Sequence, residues 1–300
     1  MLHQPQPISF AGTRRKPPWL RVRLPQDRRF ADLSKALRGL GLSTVCQSAR
    51  CPNIGECFSN GTATFLILGE ICTRGCAFCN IPSGRPGPPS PDEPERISRA
   101  VGQMGICHAV ITSVTRDDLP DGGADHFARV ISRLKSDHPG LCVEALVPDF
   151  QGDRQALAMV LESGVDILNH NVETVPELYA SVRPGAVYRR SLELVDSVRL
   201  LAPEVRPKSG LILGLGETRS QVAHVLEDLA RIGCQILTMG QYLPPSSKHY
   251  PVDRFLPPEE FEELGQLARK AGIPVVFSAP LVRSSYHAAE VAAIPNEPCS

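Results

Sequence analysis

The chain has 300 residues, 42% of them hydrophobic and 21% charged, enough to bury a sizeable core in one or two domains. Lys plus Arg and Asp plus Glu balance at 32 each, which argues against a surface built chiefly for nucleic acid or an anionic membrane. No stretch reaches the roughly 20 apolar residues that span a bilayer, and the N-terminus lacks an apolar signal core, so a cytoplasmic protein is expected.

In chain order, residues 13–29, "TRRKPPWLRVRLPQDRR", form a basic arm containing Arg14, Arg15 and Lys16. Pro17, Pro18 and Pro25 disfavour the amphipathic helix of a targeting peptide, and an arm lying on the folded body is expected. Residues 30–60 open on a helix-like "FADLSKALRGLGL" and carry Cys46, Cys51 and Cys57 in the spacing C-x4-C-x5-C.

From Ala63 onward, strand-length apolar runs alternate with stretches of helical period. The runs are "ATFLILG", "HAVITSV", "LCVEALV", "VDILNH", "SGLILGL", "ILTMGQYL" and "PVVFSA"; helices are predicted near 92–105, 124–137, 153–163, 191–201, 218–232 and 258–271. Such alternation predicts an α/β fold with a parallel sheet and right-handed crossovers, and the count of units suits a partial (β/α)6-7 TIM-type barrel. Chemistry in such barrels sits at the C-terminal strand ends. The expected segments are 1–60 for the arm and the upstream cysteines Cys46, Cys51 and Cys57, 61–281 for the barrel and 282–300 for a tail over its mouth.

The first run leads directly into "GEICTRGCAFCNI", where Cys72, Cys76 and Cys79 have the spacing C-x3-C-x2-C. Six of the ten cysteines fall between positions 46 and 79, a density that points to metal or cluster ligation rather than to a disulfide scaffold. Soft thiolates suit an iron-sulfur cluster or zinc, but a structural zinc site would close with a fourth ligand, and no partner pair is evident. Three ligands on a four-iron cluster leave one iron open to a small molecule.

With Phe78 just before the last cysteine, this motif resembles that of the radical S-adenosylmethionine (SAM) superfamily. The resemblance implies that SAM chelates the open iron and is cleaved to a 5'-deoxyadenosyl radical. It also implies SAM contacts at "DGGADHF", through Gly122 and Gly123, and at Asn171 and Glu173. Ala124 departs from the pattern, because many members have Glu there. "GLILGLGE" is similar to the stretch near the adenine and lacks the third Gly of a dinucleotide fingerprint.

The upstream set Cys46, Cys51 and Cys57 implies a second cluster, again with three thiolates, one short of a full set of four. Its combination with "RSSY" after the last run is similar to the lipoyl synthase family, as are "RKPPWLRVRLP", "VTRDDLPDGGA", "NHNVETV", "VRPGA" and "KSGLILGLGE". The resemblance implies that Ser285 is the fourth ligand of a sulfur-donating auxiliary 4Fe-4S cluster, with Ser284 as its neighbour. Two sulfur atoms would enter C6 and C8 of a protein-bound octanoyl-lysine. Implied partners are an octanoylated carrier domain (2-oxoacid dehydrogenase E2 or glycine cleavage H protein), a ferredoxin or flavodoxin type reductant and an iron-sulfur carrier protein. The basic arm could dock the carrier domain.

"RSSY" alone would read as a turn cap. Biotin synthase-like enzymes and methylthiotransferases share the first cysteine set but not the second together with "RSSY". A two-cluster electron carrier needs four cysteines per cluster. A zinc-stabilised binding module is the remaining alternative. Cys107, Cys142 and Cys234 read as core packing, and His170, Asp117, Asp118 and Arg183 receive no secure role.

Overall fold

A computed structural model describes residues 15–21, 35, 37, 39–45, 53, 54, 57 and 63–285. Its sheet has the order β1-β2-β3-β4-β5-β6-β7-β8. Strand β1 (Ser43–Thr44) pairs antiparallel with β2 (Ala63–Ile67). From β2 the sheet is parallel through β3 (His108–Ser113), β4 (Cys142–Leu146), β5 (Ile167–Asn169), β6 (Arg206–Leu213), β7 (Ile236–Gln241) and β8 (Val275–Ser278). Among the described residues β8 does not pair with β2, as in a partial TIM-type barrel.

The helices between the strands are α1 (Glu93–Met104), α2 (Ala124–Asp137), α3 (Arg154–Glu162), α4 (Tyr179–Val182), α5 (Tyr188–Leu201), α6 (Arg219–Arg231) and α7 (Pro258–Ala271). Their ends follow from local chemistry. Helix α7 has Pro258 in its first turn with Glu259 and Glu260, Arg269 and Lys270 in its last turn, and Gly272 at φ 112° beyond it. Helix α6 opens on a capping box between Thr218 and Gln221. None of the described helices is long and apolar enough to cross a membrane.

Strands and helices meet in a continuous apolar core in which Phe65, Ile111, Phe127 and Ile131 are fully buried, each stabilising the fold by roughly 1.5–3 kcal/mol. Strand β6 starts three residues before the apolar run "SGLILGL". Its extra turn of pleat includes Lys208, whose ammonium lies 2.8 Å from the equally buried Glu144 of β4. That ion pair lets a charged residue occupy a central strand.

The described part of the arm lies on the barrel. Leu20 is buried, and Trp19 Nε1 donates to Leu256 O at 3.2 Å. The helix-like segment after it falls mostly outside the described residues.

Candidate functional site

Strand β2 ends in a turn locked from three sides. Leu68 has φ 67°, an uncommon backbone for a branched side chain. Its N–H donates to Glu93 Oε2 at 3.0 Å, and its carbonyl accepts from Arg116 Nη1 at 3.2 Å. His126 Nε2 lies 2.7 Å from the same Glu93 oxygen. A Cβ on Gly123 would stand 2.4 Å from Leu68 Cδ1, and one on Gly122 would stand 3.1 Å from Phe150 Cδ1; both glycines have positive φ. Packing against the exit of β2 and against Phe150 therefore already requires glycine at these two positions.

The turn delivers Cys72, Cys76 and Cys79 into the loop at the C-terminal end of β2. Cys72 N donates to Pro82 O and Thr73 N to Thr115 O, at 2.9 and 3.0 Å. Ala77 is bonded through its N–H to Val182 O and through its carbonyl to Tyr250 N, each at 2.8 Å. The thiol sulfur of Cys72 accepts from Arg74 N at 3.4 Å and Thr115 N at 3.3 Å, the kind of contact that tunes a cluster sulfur.

Arg74, between the first two cysteines, fixes the loop more firmly. Its guanidinium makes a two-pronged contact with Asp117 at 2.7 and 2.8 Å and reaches Asp149 at 2.6 Å. Asp149 also faces Arg190 at 3.2 Å; against the opposing effect of burial, the Arg74 guanidinium, helped by the Gln151 N–H, holds its carboxyl low, at about 2. The cysteine loop is thereby tied to the loops after β3 and β4.

Burial pushes the Cys76 thiol up, with Arg183 opposing, and pushes Cys79 up to about 11; in both cases the neighbouring cysteines add to the rise. The three thiols thus feel one another. Three neighbouring thiols on one loop are soft donors of the kind a four-iron cluster takes, one to each iron, and in that chemistry they fit such a cluster.

Beside the cysteines, at the end of β5, stand Asn171, Glu173 and Arg183. Arg183 lies 5.2 Å from the Tyr179 ring centroid and donates to the carbonyls of Asn171 and Val172 at 3.1 and 3.0 Å. Glu173 has φ 63° and a carboxyl pushed up by burial. Asn171 Oδ1 and Arg183 Nε are buried without a hydrogen-bond partner, an acceptor and a donor on one side of the site. A Cβ on Gly210 would lie 2.7 Å from Asn171 Oδ1.

The C-terminal segment returns over these groups. Val282 O would stand 1.9 Å from a Cβ on Gly240, so β7 and the tail touch backbone to backbone. Asn171 Nδ2 donates to Ser284 Oγ at 2.7 Å, and Thr64 Oγ1 in β2 donates to Ser285 Oγ at 2.8 Å. Asn53, between Cys51 and Cys57, donates to Leu281 O at 2.6 Å. The tail is thus bonded at Ser285 to β2 and at Leu281 to the segment bearing Cys57. Cys46 and Cys51 lie outside the described residues.

A small cavity of about 30 Å³ remains between β6, β7 and the tail, lined by Glu173, Gly210, Thr238, Gly240 and Ser284. A larger one of about 320 Å³ opens on the outer surface between α3 and α5 and includes none of the predicted site residues. The sequence reading overlooked Arg74 and Thr64. Arg74 offered a signal by its place inside the cysteine motif; Thr64 offered only a hydroxyl in an apolar strand.

The radical SAM superfamily model matches residues 66–229, and the N-terminal domain of lipoyl synthase of the radical SAM family matches residues 8–51. The chain is 55% identical over 282 residues to the lipoyl synthase of Nitratidesulfovibrio vulgaris strain DP4, covering 94% of each. It is 50% identical over 277 residues to that of Alkaliphilus metalliredigens, covering 92% of this chain and 96% of the relative. Among solved structures, Streptococcus suis SuiB bound to S-adenosylmethionine shares the fold at a TM-score of 0.57 and 11% identity, over 82% of this chain and 59% of that one. HydG, a maturase of the [FeFe]-hydrogenase, does so at 0.55 and 13%, over 83% and 56%.

Proposed function

The chain belongs to the lipoyl synthase family of the radical SAM superfamily, and from that premise we propose which of its residues carry the family's reaction. The enzyme is a sulfurtransferase that inserts two sulfur atoms at C6 and C8 of a protein-bound octanoyl-lysine. When bound, SAM and two 4Fe-4S clusters supply the hydrogen-abstracting radical and the sulfur. Neither carbon is acidic, so the side chains have no acid-base step to perform on it. Their work is to hold, orient and exclude water.

In this reading Cys72, Cys76 and Cys79 hold the cluster that meets SAM, because they sit on a loop already fixed by Arg74 and by backbone bonds. Asn171, Glu173 and Arg183 face the amino-acid part of SAM. The unpartnered Asn171 Oδ1 and Arg183 Nε suit an ammonium and a carboxylate respectively. Gly123 serves that face by letting the β2 exit close up behind it, and Gly122 by admitting Phe150. Cys46, Cys51, Cys57 and Ser285 hold the second cluster; the observation that favours this is that the tail bearing Ser285 also accepts, at Leu281 O, a hydrogen bond from Asn53 in the Cys57 segment. An oxygen ligand is a poorer match than thiolate for a cluster, which makes this one easier to dismantle.

The protein substrate is a lipoyl-carrier domain. We assign its source to a 2-oxoacid dehydrogenase E2 or a glycine cleavage H protein, the electron to a ferredoxin or flavodoxin type protein, and cluster renewal to an iron-sulfur carrier. The single observation that carries the reading is the fixed three-cysteine loop at the barrel mouth. An anaerobic assay with reductant, SAM and an octanoyl-lysine peptide tests it. Deoxyadenosine and a thiolated peptide are expected together; deoxyadenosine without thiolation would retain the radical chemistry and remove the lipoyl assignment.

A further inference from the structure

Thr64 occupies the second position of β2, followed by Phe65, Leu66 and Ile67, in a wholly buried stretch. A hydroxyl there is costly unless it is bonded, since a buried unsatisfied group destabilises where an isosteric Val would not. Among the described residues the hydrogen bond of that hydroxyl goes to Ser285 Oγ, 221 positions along the chain, at 2.8 Å. Three other contacts set the tail in the register that brings Ser285 to this point: Asn171 to Ser284, Asn53 to Leu281 O, and Val282 O against Gly240.

We infer that Thr64 is the positioning residue for the serine ligand of the auxiliary cluster, donating a hydrogen bond to Ser285 Oγ that fixes the direction of its remaining lone pairs. The inference rests on the reading of Ser285 as a ligand and adds to it a residue of the barrel wall. As a β-branched residue in a strand, Thr64 has a stiff side chain, so the donor comes from a rigid element and the acceptor from a tail. The bond also draws electron density from the oxygen. Ser285 is then held where it can bind iron, yet binds it less firmly than an unconstrained alkoxide would.

The test is a double-mutant cycle on the anaerobically reconstituted full chain. Iron loss from the auxiliary cluster to a chelator is followed by Mössbauer spectroscopy, with excess SAM shielding the other cluster. Losing one hydrogen bond predicts that Thr64→Val changes the rate of iron loss by roughly 2- to 10-fold, while Thr64→Ser, which keeps the donor, stays near the parent. In the Ser285→Ala background Thr64→Val is expected to have no further effect. An equal effect in both backgrounds would reduce Thr64 to a packing role and overturn the inference, as would parental behaviour of Thr64→Val where Ser285→Ala itself alters iron loss. If Ser285→Ala leaves the oxygen-ligated iron signal unchanged, the ligand reading fails instead, and the inference fails with it. Should Thr64→Val not accumulate, the comparison of Thr64→Ser with Thr64→Ala decides between the same outcomes.

Discussion

Arg74 Nη2 lies 2.6 Å from Asp149 Oδ1, so the loop that carries the cysteines is tied to the loop after β4 by a nearly buried ion pair. A second pair of contacts to Asp117 makes the arrangement dependent on a planar guanidinium. Arg74→Lys retains the charge and loses the fork; it should bind less iron at the Cys72, Cys76 and Cys79 site while the auxiliary cluster stays loaded. Arg74→Gln leaves Asp149 with Arg190 alone and should cost about 3 kcal/mol of stability, the lower end for breaking a buried pair. Iron analysis resolved by Mössbauer spectroscopy and denaturant unfolding check the two outcomes.

Gly240 has an ordinary strand backbone, and an added methyl would meet the carbonyl of Val282 rather than a movable side chain. Overpacking of this kind costs about 1–3 kcal/mol, and here the tail is the part that must yield. Gly240→Ala should therefore impair sulfur insertion while deoxyadenosine formation persists. Measuring both products in one reaction distinguishes this from a general loss of fold, in which they would fall together.

The Lys208–Glu144 pair is fully buried, with Asn169 Nδ2 donating to the same carboxylate at 3.1 Å. Lys208→Met leaves Glu144 without its cation and should destabilise the barrel by about 3–5 kcal/mol. Adding Glu144→Leu should recover most of that loss, because the desolvation cost of the carboxylate disappears with it. Urea unfolding of the two variants reads the difference.

His170 is buried, with Nδ1 at 2.9 Å from Val147 O and Nε2 at 2.9 Å from Ser191 Oγ, and burial lowers its pKa from 6.5 to about 4. Between those values the unfolded chain binds the proton that the folded chain refuses, so stability falls as pH is lowered from 6.5 to 4. The loss amounts to at most roughly 3 kcal/mol from this residue. His170→Gln should flatten that part of the pH dependence; unchanged slopes would exclude His170 as its source.

Much of this architecture was legible because a buried parallel strand and an amphipathic helix write different periods into the chain. The helical period placed α7 near 258–271, the bounds that Pro258 at its start and Gly272 beyond its end give it in the structure. The early start of β6 was not, because Arg206 and Lys208 look like surface residues until Glu144 is brought beside Lys208 from another strand. Strand β1 and the four-residue helix α4 were too short to show a period. The cysteine spacings stood out since ligand sets are local, whereas Arg74 depends on three loops and Thr64 on a partner at the far end of the chain. The paired glycines illustrate an ambiguity of another kind: Gly122 and Gly123 answer to Phe150 and Leu68 as well as to any cosubstrate.

The central claim is that two clusters are each held by three cysteines. It is tested most directly by quantifying iron and sulfide in three anaerobically reconstituted proteins: the parent, a Cys72→Ala/Cys76→Ala/Cys79→Ala variant and a Cys46→Ala/Cys51→Ala/Cys57→Ala variant. Each triple variant should retain half of the parent's iron and sulfide, and the second should still cleave SAM. Loss of all iron in either variant, or full parental iron in one of them, would contradict it.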